Sequence, residues 1–308
     1  MTDDDNFRSP IVVTGANGLV GSHVCQVLSE RGATVRAVVR RPGTAPRLPG
    51  LTEHVGDFGD AELATAVVQG AGAVVTTVHP MGAERSTQHQ VGVVDTTTLV
   101  RAARDAGVPR VVHISTAAVY ERSPEAGDIV ESSPLVTDDA GDYAVTKRDT
   151  DAALAEVEGV TGILVRPPAI LGAGESSMWN SIVPDKVAQD GAARQVMPDA
   201  AFAWVHVEDL AAFVVDLATG AIRTAGDTQD GPAENAWTPA NVAAAPATAR
   251  DYYGTVAEAV GVELAWQDGP AWTGEIRTDR ARGWGWRPVV GLAQALSEIE
   301  AGLRSRGG

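Results

Sequence analysis

The stretch that decides the fold is Ile11-Val12-Val13-Thr14-Gly15-Ala16-Asn17-Gly18-Leu19-Val20-Gly21. An apolar run leads directly into three glycines, and a helical pattern follows to about Glu30 before it ends at Arg31-Gly32. This order predicts a buried strand, a tight turn and a helix. Glycines spaced G-x-x-G-x-x-G allow a pyrophosphate to approach the backbone at the helix N-terminus. The stretch therefore predicts a dinucleotide site with the residues Gly15, Asn17, Gly18, Leu19 and Gly21.

Strand-like and helical stretches alternate along the first half of the chain. Further strands are expected at Thr34–Val39, Ala73–Val78, Arg110–Ser115 and Gly162–Arg166, with helices near 60–69, near 92–106 and from Tyr143 to before Gly159. Alternation of this kind predicts an α/β fold with a doubly wound parallel sheet, the Rossmann arrangement.

The second half of the chain has a different composition. It holds all seven tryptophans and an Ala/Pro/Thr/Asn-rich stretch over 233–248 that is typical of a long loop. We interpret this half as a smaller C-terminal α/β substrate lobe, formed by 173–202 and 221–308. The dinucleotide-binding domain would take 1–172, with 203–220 returning to it. The tryptophans either fill the lobe's own core, which we favour, or present flat apolar surface to a substrate.

Composition limits the possible partners and the compartment. A net charge of −16 argues against nucleic acid and against anionic membranes, since both require a basic surface. Cys25 is the single cysteine, so the chain cannot form an internal disulfide, as is usual in a reducing cytosol. Neither an export signal nor a membrane-spanning run is evident, and no His/Cys/Asp/Glu grouping has metal-ligand spacing. We therefore expect a cytoplasmic protein without a bound metal that acts on a small-molecule substrate.

The end of the second predicted strand indicates which dinucleotide is bound. An acidic residue there would hold the ribose hydroxyls of NAD, whereas a basic one would accept the extra phosphate of NADP. The chain has Arg40-Arg41 at this point, so NADP is favoured over NAD. Two solvated loop arginines would be the purely structural alternative. Asp57 and Phe58 are further candidates, beside the adenine.

A tyrosine and a lysine supply candidate proton chemistry. Tyr143 and Lys147 lie four residues apart on a predicted helix, which places both side chains on one face. A nearby ammonium would lower the pKa of the phenol from about 10 and let it exchange a proton with an alcohol or a ketone. An ordinary amphipathic helix start would explain the same pair without function.

Five stretches in order give the chain a family resemblance. They are 14–21, His113-Ile114-Ser115-Thr116-Ala117-Ala118-Val119-Tyr120, Tyr143-Ala144-Val145-Thr146-Lys147, Arg166-Pro167-Pro168-Ala169-Ile170-Leu171-Gly172-Ala173-Gly174 and Trp204-Val205-His206-Val207-Glu208-Asp209-Leu210-Ala211. With these stretches the chain resembles the extended short-chain dehydrogenase/reductase family, of the NAD-dependent epimerase/dehydratase type. The resemblance covers nearly the whole length.

The resemblance implies roles for individual residues. Tyr143 would be the catalytic acid/base, and Lys147 would bind the nicotinamide ribose and lower the tyrosine pKa. Thr116 would hydrogen-bond the substrate oxygen, with Ser115 as a close rival. Position gives a further expectation: Pro167 and Ile170 follow a strand end at the carboxyl edge of the sheet, so they would line the nicotinamide pocket, or simply form a rigid strand exit.

Departures from the family pattern narrow the reaction. Ala117-Ala118 stand where the sugar-nucleotide dehydratases of the family carry an acidic pair, so water elimination is disfavoured. The asparagine that the family commonly places before the Ser/Thr strand is missing near Gly92, which puts a proton relay through it in doubt. His206, between two valines, is expected to make a structural hydrogen bond.

The expected function is an NADP-dependent oxidoreductase that interconverts a ketone and a secondary alcohol. Its substrate would be a sugar nucleotide or a small secondary metabolite. Two alternatives remain open, an epimerase that oxidises its substrate transiently and a non-catalytic NADP-binding sensor. The helices near 92–106 and 143–158 occupy the positions through which the family often dimerises, so a homodimer is a further expectation.

Overall fold

The structure is a computed structural model that describes residues 9–173 and 177–306. The N-terminal residues through Asn6, and Gly174 at the end of the fourth family stretch, lie outside the described residues.

The bounds of the regular elements follow in chain order. The strands are β1 (Ile11–Thr14), β2 (Val35–Val39), β3 (Leu51–Val55), β4 (Ala73–Thr76), β5 (Arg110–Ile114), β6 (Thr161–Arg166), β7 (Ala169–Leu171), β8 (Gln195–Val196), β9 (Trp204–His206), β10 (Trp237–Asn241) and β11 (Ala265–Trp266). The α-helices are α1 (Leu19–Glu30), α2 (Ala61–Val68), α3 (Arg85–His89), α4 (Thr96–Asp105), α5 (Asp142–Ala155), α6 (Val183–Gln189), α7 (Val207–Ala218), α8 (Ala249–Val260), α9 (Asp279–Gly283) and α10 (Leu292–Arg306).

Seven strands of the described chain form one parallel sheet in the order β10-β6-β5-β4-β1-β2-β3. The chain moves outward from β1 through β2 to β3, and then returns to the other side of β1 with β4. The strand order therefore reverses between β1 and β4, and ligands of such sheets bind at the carboxyl ends beside this point.

Both faces of the sheet are covered by helices. On one face, Val24, Cys25 and Leu28 of α1 and Phe213 of α7 pack over the sheet in one buried apolar cluster. On the other face α2, α4 and α5 contribute Val67, Leu99 and Leu154 to a second cluster. Parallel strands buried on both faces are apolar almost throughout, as β1 and β4 are. The predicted doubly wound sheet is confirmed.

The helix expected near 92–106 begins earlier. It runs from Arg85 to Asp105, with a π-helical turn over Gln90–Asp95 between α3 and α4. Its first turn, Arg85-Ser86-Thr87-Gln88-His89, has no apolar periodicity that would have indicated it in the sequence. The π-helical turn matters for the site, because it lies against α5.

A separate apolar cluster forms the smaller lobe. Trp204, Tyr252, Phe202 and Ile299 belong to it, with α6, α8 and α10 around the short pair of β7 and β9. A second short pair, β8 with β11, extends the same region. As expected, α7 returns to the main domain, where it packs against α1.

Two segments assigned to the lobe from the sequence lie instead with the main domain. The expected loop over 233–248 contains β10, which pairs with β6 at the edge of the main sheet. Pro239 fits there, because an edge strand can leave one side without hydrogen bonds. Trp284 and Trp286 pack beside Phe213 in the first sheet cluster. The domain division elsewhere stays a prediction.

The tryptophans are mostly core residues. Trp204, Trp272, Trp284 and Trp286 are buried, and Trp179 and Trp237 pack against buried clusters. Trp266 differs, because it is 40% exposed and lies beneath the Arg250 guanidinium.

Candidate functional site

The glycine turn forms a cradle at the carboxyl end of β1. Gly15 has φ +65°, and a Cβ there would lie 2.7 Å from Thr77 Oγ1 at the end of β4. A Cβ on Gly21 would collide with the carbonyl oxygen of Gly15. Gly18 is the N-cap of α1, and no side chain of the described residues caps that helix. The N-terminal N–H groups and the positive end of the helix dipole therefore face this cradle, as a pyrophosphate site requires.

The loop after β2 carries two arginines without ion-pair partners in the part of the chain that the structure describes. Arg40 and Arg41 are both exposed. Their loop is fixed by Glu53 of β3, whose carboxylate accepts the N–H groups of Gly43 at 2.8 Å and Ala45 at 3.0 Å. These hydrogen bonds lower the pKa of Glu53. The loop is thus held in shape while its guanidinium groups remain available to an anion.

Asn17 and Leu19 are the remaining predicted residues of the glycine turn. Asn17 is exposed and its amide donates to Thr44 Oγ1 at 3.3 Å, which ties the glycine turn to the arginine loop. Leu19 is half-buried at the start of α1.

Asp57 and Phe58 have different surroundings. Phe58 is buried in the cluster beneath α2, so it is a core residue. Asp57 is exposed, and its carboxylate accepts the N–H of Gly59 at 3.0 Å. Contact with an adenine stays a prediction. Of the two residues, only Asp57 is exposed enough to make that contact.

The two hydroxyls after β5 point to different neighbours. Thr116 lies within hydrogen-bonding reach of the Tyr143 phenol, accepts the N–H of Ala118 at 3.1 Å and donates to Pro167 O at 3.4 Å. Ser115 instead lies beside the Asp151 carboxylate, where it lowers the carboxyl pKa. The structure therefore brings Thr116 rather than Ser115 to the phenol.

The pKa of Tyr143 is shifted opposite to expectation. Burial raises it, the Thr116 hydroxyl lowers it in part, and the negative charge of Asp151 raises it further. Lys147 was expected to lower this pKa, but its Nζ donates to Ile114 O at 2.7 Å. Because desolvation of the phenolate outweighs the favourable contacts, the phenol is neutral around pH 7.

Lys147 is a buried cation, 4% exposed. Burial lowers its pKa to about 8, and the nearby Asp151 carboxylate partly offsets this change. Asp151 lies one turn further along α5 and forms an ion pair with Arg166 of β6 at 3.0 Å. Arg166 also donates to Tyr120 Oη at 2.8 Å, and Tyr120 donates to Asn241 of β10 at 2.8 Å. Lys147 is thus seated against a buried polar network that spans three strands of the sheet.

Pro167 and Ile170 follow β6. Pro167 is buried, and its carbonyl accepts the N–H of Ala117 at 2.8 Å, which fixes the chain after the Thr116 hydroxyl. Ile170 is half-buried against the cluster on the α1 face. Contact of either residue with a nicotinamide stays a prediction.

Most of the chain matches the model of a known protein family. A model of the NAD dependent epimerase/dehydratase family matches residues 11–224. The chain belongs to this family. The match covers the glycine cradle, the Thr116 strand end, α5 and α7, so the resemblance of the five stretches is confirmed.

Curated relatives of the family match with about 30% identity. They include a 4-hydroxy-2-methyl-3-oxo-4-farnesyl-3,4-dihydroquinoline-1-oxide ketoreductase of Stigmatella aurantiaca (30% identity, 56% of this chain, 53% of the relative) and a 2-alkyl-3-oxoalkanoate reductase of Stenotrophomonas maltophilia (30%, 54% and 53%). A 3 beta-hydroxysteroid dehydrogenase/Delta 5-->4-isomerase of Mycobacterium tuberculosis is 31% identical over 56% of this chain and 50% of the relative. The chain spans about half the length of these curated relatives.

Solved structures share the fold of this chain. The Bordetella bronchiseptica enzyme WbmH in complex with NAD+ has a TM-score of 0.75 at 20% identity, with 97% of this chain and 100% of that chain covered. A UDP-glucose 4-epimerase from Thermotoga maritima has a TM-score of 0.72 at 17% identity, with the same shares covered.

Gly92, near which the family's usual asparagine is missing, lies in the π-helical turn against α5. A Cβ there would be 3.0 Å from Thr150 Oγ1 and 3.3 Å from Thr146 Cγ2 of α5. A larger side chain at this position would therefore require those two threonines to shift.

A histidine that the sequence reasoning missed stands beside the tyrosine instead. The His79 ring packs edge-to-face against Tyr143, with 4.8 Å between centroids. Gln88 donates to Ala83 O at 2.7 Å, so its Oε1 faces His79 Nε2 at 3.0 Å and the proton lies on Nε2. Burial, aided by the charge of Lys147, lowers the pKa of His79 to about 3. A neutral ring therefore supports the phenol.

Asp151 and His79 could have been found from position alone. His79 follows the predicted strand Ala73–Val78 at the edge where ligands bind, and Asp151 is four residues beyond Lys147 on the same helix face. His206, by contrast, behaves as expected: its Nδ1 accepts the N–H of Glu208 at 3.3 Å and its Nε2 contacts Glu298 at 3.0 Å.

Across residues 9–173 and 177–306, no group of three His, Cys, Asp or Glu side chains could hold a metal ion. Within those same residues, no helix has the length and apolar character needed to cross a membrane.

Proposed function

We propose that this protein is an NADP-dependent oxidoreductase that reduces a ketone, or oxidises the matching secondary alcohol, on a small metabolite. The observation that carries the proposal is the proximity of the Tyr143 phenol to the Thr116 hydroxyl beside the buried Lys147, at the same edge of the sheet as the glycine turn. The turn suits a dinucleotide, because its glycines pack too tightly for a Cβ at Gly15 or Gly21 and the uncapped N-terminus of α1 begins there.

Each residue of the site has a defined task in this proposal. The dinucleotide, when bound, supplies or accepts the hydride. Thr116 orients the substrate oxygen by a hydrogen bond, and Tyr143 donates its proton to that oxygen as the ketone becomes an alcohol. Lys147 holds a positive charge next to the site, which favours the phenolate that the transfer leaves behind.

The neutral phenol of Tyr143 is the form that donates a proton, as ketone reduction requires. The reverse reaction would use the same group as a phenolate. The names of the curated relatives support the same chemistry, because two of them are reductases of oxo compounds. Buried Ala117 offers no acid where dehydration would need one.

The choice of NADP is supported by Arg40 and Arg41. Both guanidinium groups are exposed next to the carboxyl end of β2, and the Glu53 carboxylate is occupied by backbone N–H groups. An arginine fork matches a phosphate, so the loop suits the additional phosphate of NADP.

Substitution of the phenol tests the catalytic proposal. Tyr143→Phe should lower kcat for ketone reduction about 10²- to 10⁴-fold, because only the proton path is lost, while cofactor affinity changes little. Tyr253→Phe is the matched control, since Tyr253 is a half-buried tyrosine of the lobe and should retain full turnover. Turnover by Tyr143→Phe near the wild-type rate would reject the assignment.

Steady-state rates with NADPH and NADH test the cofactor choice. Arg41→Ala should lower kcat/KM for NADPH roughly tenfold, the loss of one charged hydrogen bond, and leave NADH almost unaffected. Arg223→Ala, an exposed arginine outside the loop, should change neither. A wild-type preference for NADH would contradict the role of Arg40 and Arg41.

The rival functions differ in how they use the cofactor. A reductase consumes NADPH in proportion to product, whereas an epimerase would recycle tightly bound cofactor with no net consumption. A sensor would bind NADP tightly and turn over none of a broad ketone panel. A homodimer through α4 and α5 is proposed as well, and light scattering that gives a monomer at micromolar concentration would reject it.

A further inference from the structure

His79 and Gln88 form a pair of side chains beside Tyr143 that the reaction chemistry above does not use. The His79 ring packs edge-to-face on the Tyr143 ring, with 4.8 Å between centroids. Gln88 is 5% exposed, and its Oε1 lies 3.0 Å from His79 Nε2. Because the two rings are in direct contact, a change in the position or the charge of the imidazole acts on the phenol.

The second hydrogen bond of Gln88 fixes where the histidine carries its proton. Gln88 Nε2 donates to Ala83 O at 2.7 Å, and a carbonyl can accept only from the amino end of the amide. The Gln88 oxygen therefore faces His79, and the proton of the neutral ring lies on Nε2. Nδ1 keeps a lone pair, which is buried and has no hydrogen-bond partner in the part of the chain that the structure describes. One side chain thus selects both the tautomer and the orientation of the ring.

Gln88 also closes the turn that carries His79. Within this turn the N–H of Ala83 donates to Pro80 O at 3.2 Å, and Ala83 O accepts from the Gln88 amide. Gln88 lies on α3, which packs against α5, the helix of Tyr143. A simple packing role would be served by a hydrocarbon ring, without the cost of burying the Gln88 amide. The pair is therefore built to hold an imidazole in one state.

The surroundings keep that imidazole neutral. Burial lowers the pKa of His79 to about 3, the Lys147 ammonium of α5 lowers it further, and the hydrogen bond to Gln88 opposes the change. None of the groups that shift this pKa is a carboxylate. His113 of β5 is buried as well, and burial lowers its pKa well below the usual value. A proton on His79 would place a second cation near Lys147, where low polarity makes the repulsion strong.

We propose that His79, held by Gln88, is a positioning residue of the reaction, and that its neutral ring keeps the Tyr143 phenol against the Thr116 hydroxyl. The inference rests on the proposed function, because it gives the pair a role in the proton transfer by Tyr143. A phenol that turns away from Thr116 would reach the substrate oxygen less often. A charged ring would repel Lys147 and disturb the same arrangement.

Loss of the amide tests the positioning role. Gln88→Leu keeps a side chain of similar size but releases the ring, so kcat for the best substrate of a broad ketone panel should fall about 10- to 100-fold, while KM and NADP affinity change less than about threefold. His79→Asn should have the same effect. His89→Asn is the matched control, because His89 is an exposed histidine of the same helix as Gln88. A wild-type kcat in both Gln88→Leu and His79→Asn would overturn the inference.

Exchange of the amide for a carboxylate tests the need for a neutral ring. Gln88→Glu can still accept the Nε2 proton, but its charge raises the pKa of His79, so the ring becomes a cation as the pH falls. The kcat of this variant should therefore fall about tenfold or more, relative to the wild type, below the midpoint at which His79 titrates. Gln69→Glu adds the same charge at an exposed position after α2 and should keep the wild-type profile. A Gln88→Glu profile without this additional limb would overturn the inference.

NMR gives a readout that does not need turnover. The chain has six histidines and four tyrosines, so ¹⁵N-histidine and 3-fluorotyrosine labels give few signals, and His79→Asn and Tyr143→Phe assign the two of interest. In the wild type, His79 should be the Nε2–H tautomer and should not titrate above about pH 5. In Gln88→Glu, its titration should shift the Tyr143 fluorine signal at the same midpoint.

The two readouts separate the inference from the function on which it rests. An Nδ1–H tautomer, or a Tyr143 signal that does not respond to titration of His79 in Gln88→Glu, would overturn the inference even if ketones are reduced. The expected NMR results without turnover of any ketone would count against the proposed function alone.

Discussion

The carboxyl edge of the main sheet and the core of the smaller lobe bury different kinds of side chain. Near this edge Lys147 and Asp151 of α5, Arg166 of β6 and His113 of β5 are buried, and His79 is half-buried. In the lobe, Trp204, Tyr252, Phe202 and Ile299 form an apolar cluster in which aromatic rings stack on one another.

The difference shows where the protein tolerates unfavourable groups. Buried charges destabilise the folded chain, and such groups persist where a site needs them. The lobe cluster is built mainly from apolar and aromatic side chains, so its packing contributes stability. Substitutions at the edge should therefore change binding and pH behaviour, while those in the lobe should change stability.

The largest effect is expected in the lobe. Trp204 is 1% exposed and its Nε1 donates to Ala245 O at 2.9 Å, so Trp204→Ala should lower the free energy of unfolding by about 3–5 kcal/mol. Trp266→Ala is the control, because Trp266 is exposed and should cost about 1 kcal/mol or less. Urea denaturation measures both. An equal cost for the two would contradict the lobe core described here.

The second prediction concerns cofactor binding at the carboxyl edge of the main sheet. Gly21→Ala should weaken NADP binding about 100-fold or more, because the new methyl group collides with Gly15 O and deforms the cradle. Calorimetric titration measures the affinity. Gly254→Ala, in α8 with open space around its Cα, should leave binding unchanged and stabilise the helix slightly. Normal NADP affinity in Gly21→Ala would mean that the cofactor does not use this turn.

A smaller effect concerns pH. The folded pKa of Lys147 is about 8, below its unfolded value, so between pH 8 and about 10 the unfolded chain binds more protons. Stability from this group therefore rises with pH in that window. Lys147→Met removes the term, so its stability advantage over the wild type should shrink by on the order of 1–3 kcal/mol between pH 7 and pH 9.5. A constant difference across the series of urea denaturations would refute the buried charged lysine.

The sequence predicts the fold and part of the site where backbone geometry dictates residue type. The strand, glycine turn and helix of residues 11–30 were placed correctly, because this tight turn leaves no room for a Cβ at Gly15 or Gly21. Tyr143 and Thr116 were brought together as the motifs implied. Their roles stay predictions until turnover is measured.

Elements and residues without periodicity were missed. β3 is an edge strand whose residues Leu51-Thr52-Glu53-His54-Val55 have weak apolar alternation, and β10 contains Pro239. The upward shift in the pKa of Tyr143 could not be predicted from the sequence, because spacing on a helix reveals a neighbouring lysine but not how much water burial removes.

The position of β10 has a consequence for synthesis of the chain. β10 pairs with β6, but residues 167–236 separate the two strands. Until the ribosome has released residues beyond Asn241, β6 presents an open row of N–H and C=O groups that another nascent chain could join. A truncated chain that ends at residue 224, where the family match stops, should therefore aggregate, although it retains every residue assigned a catalytic role.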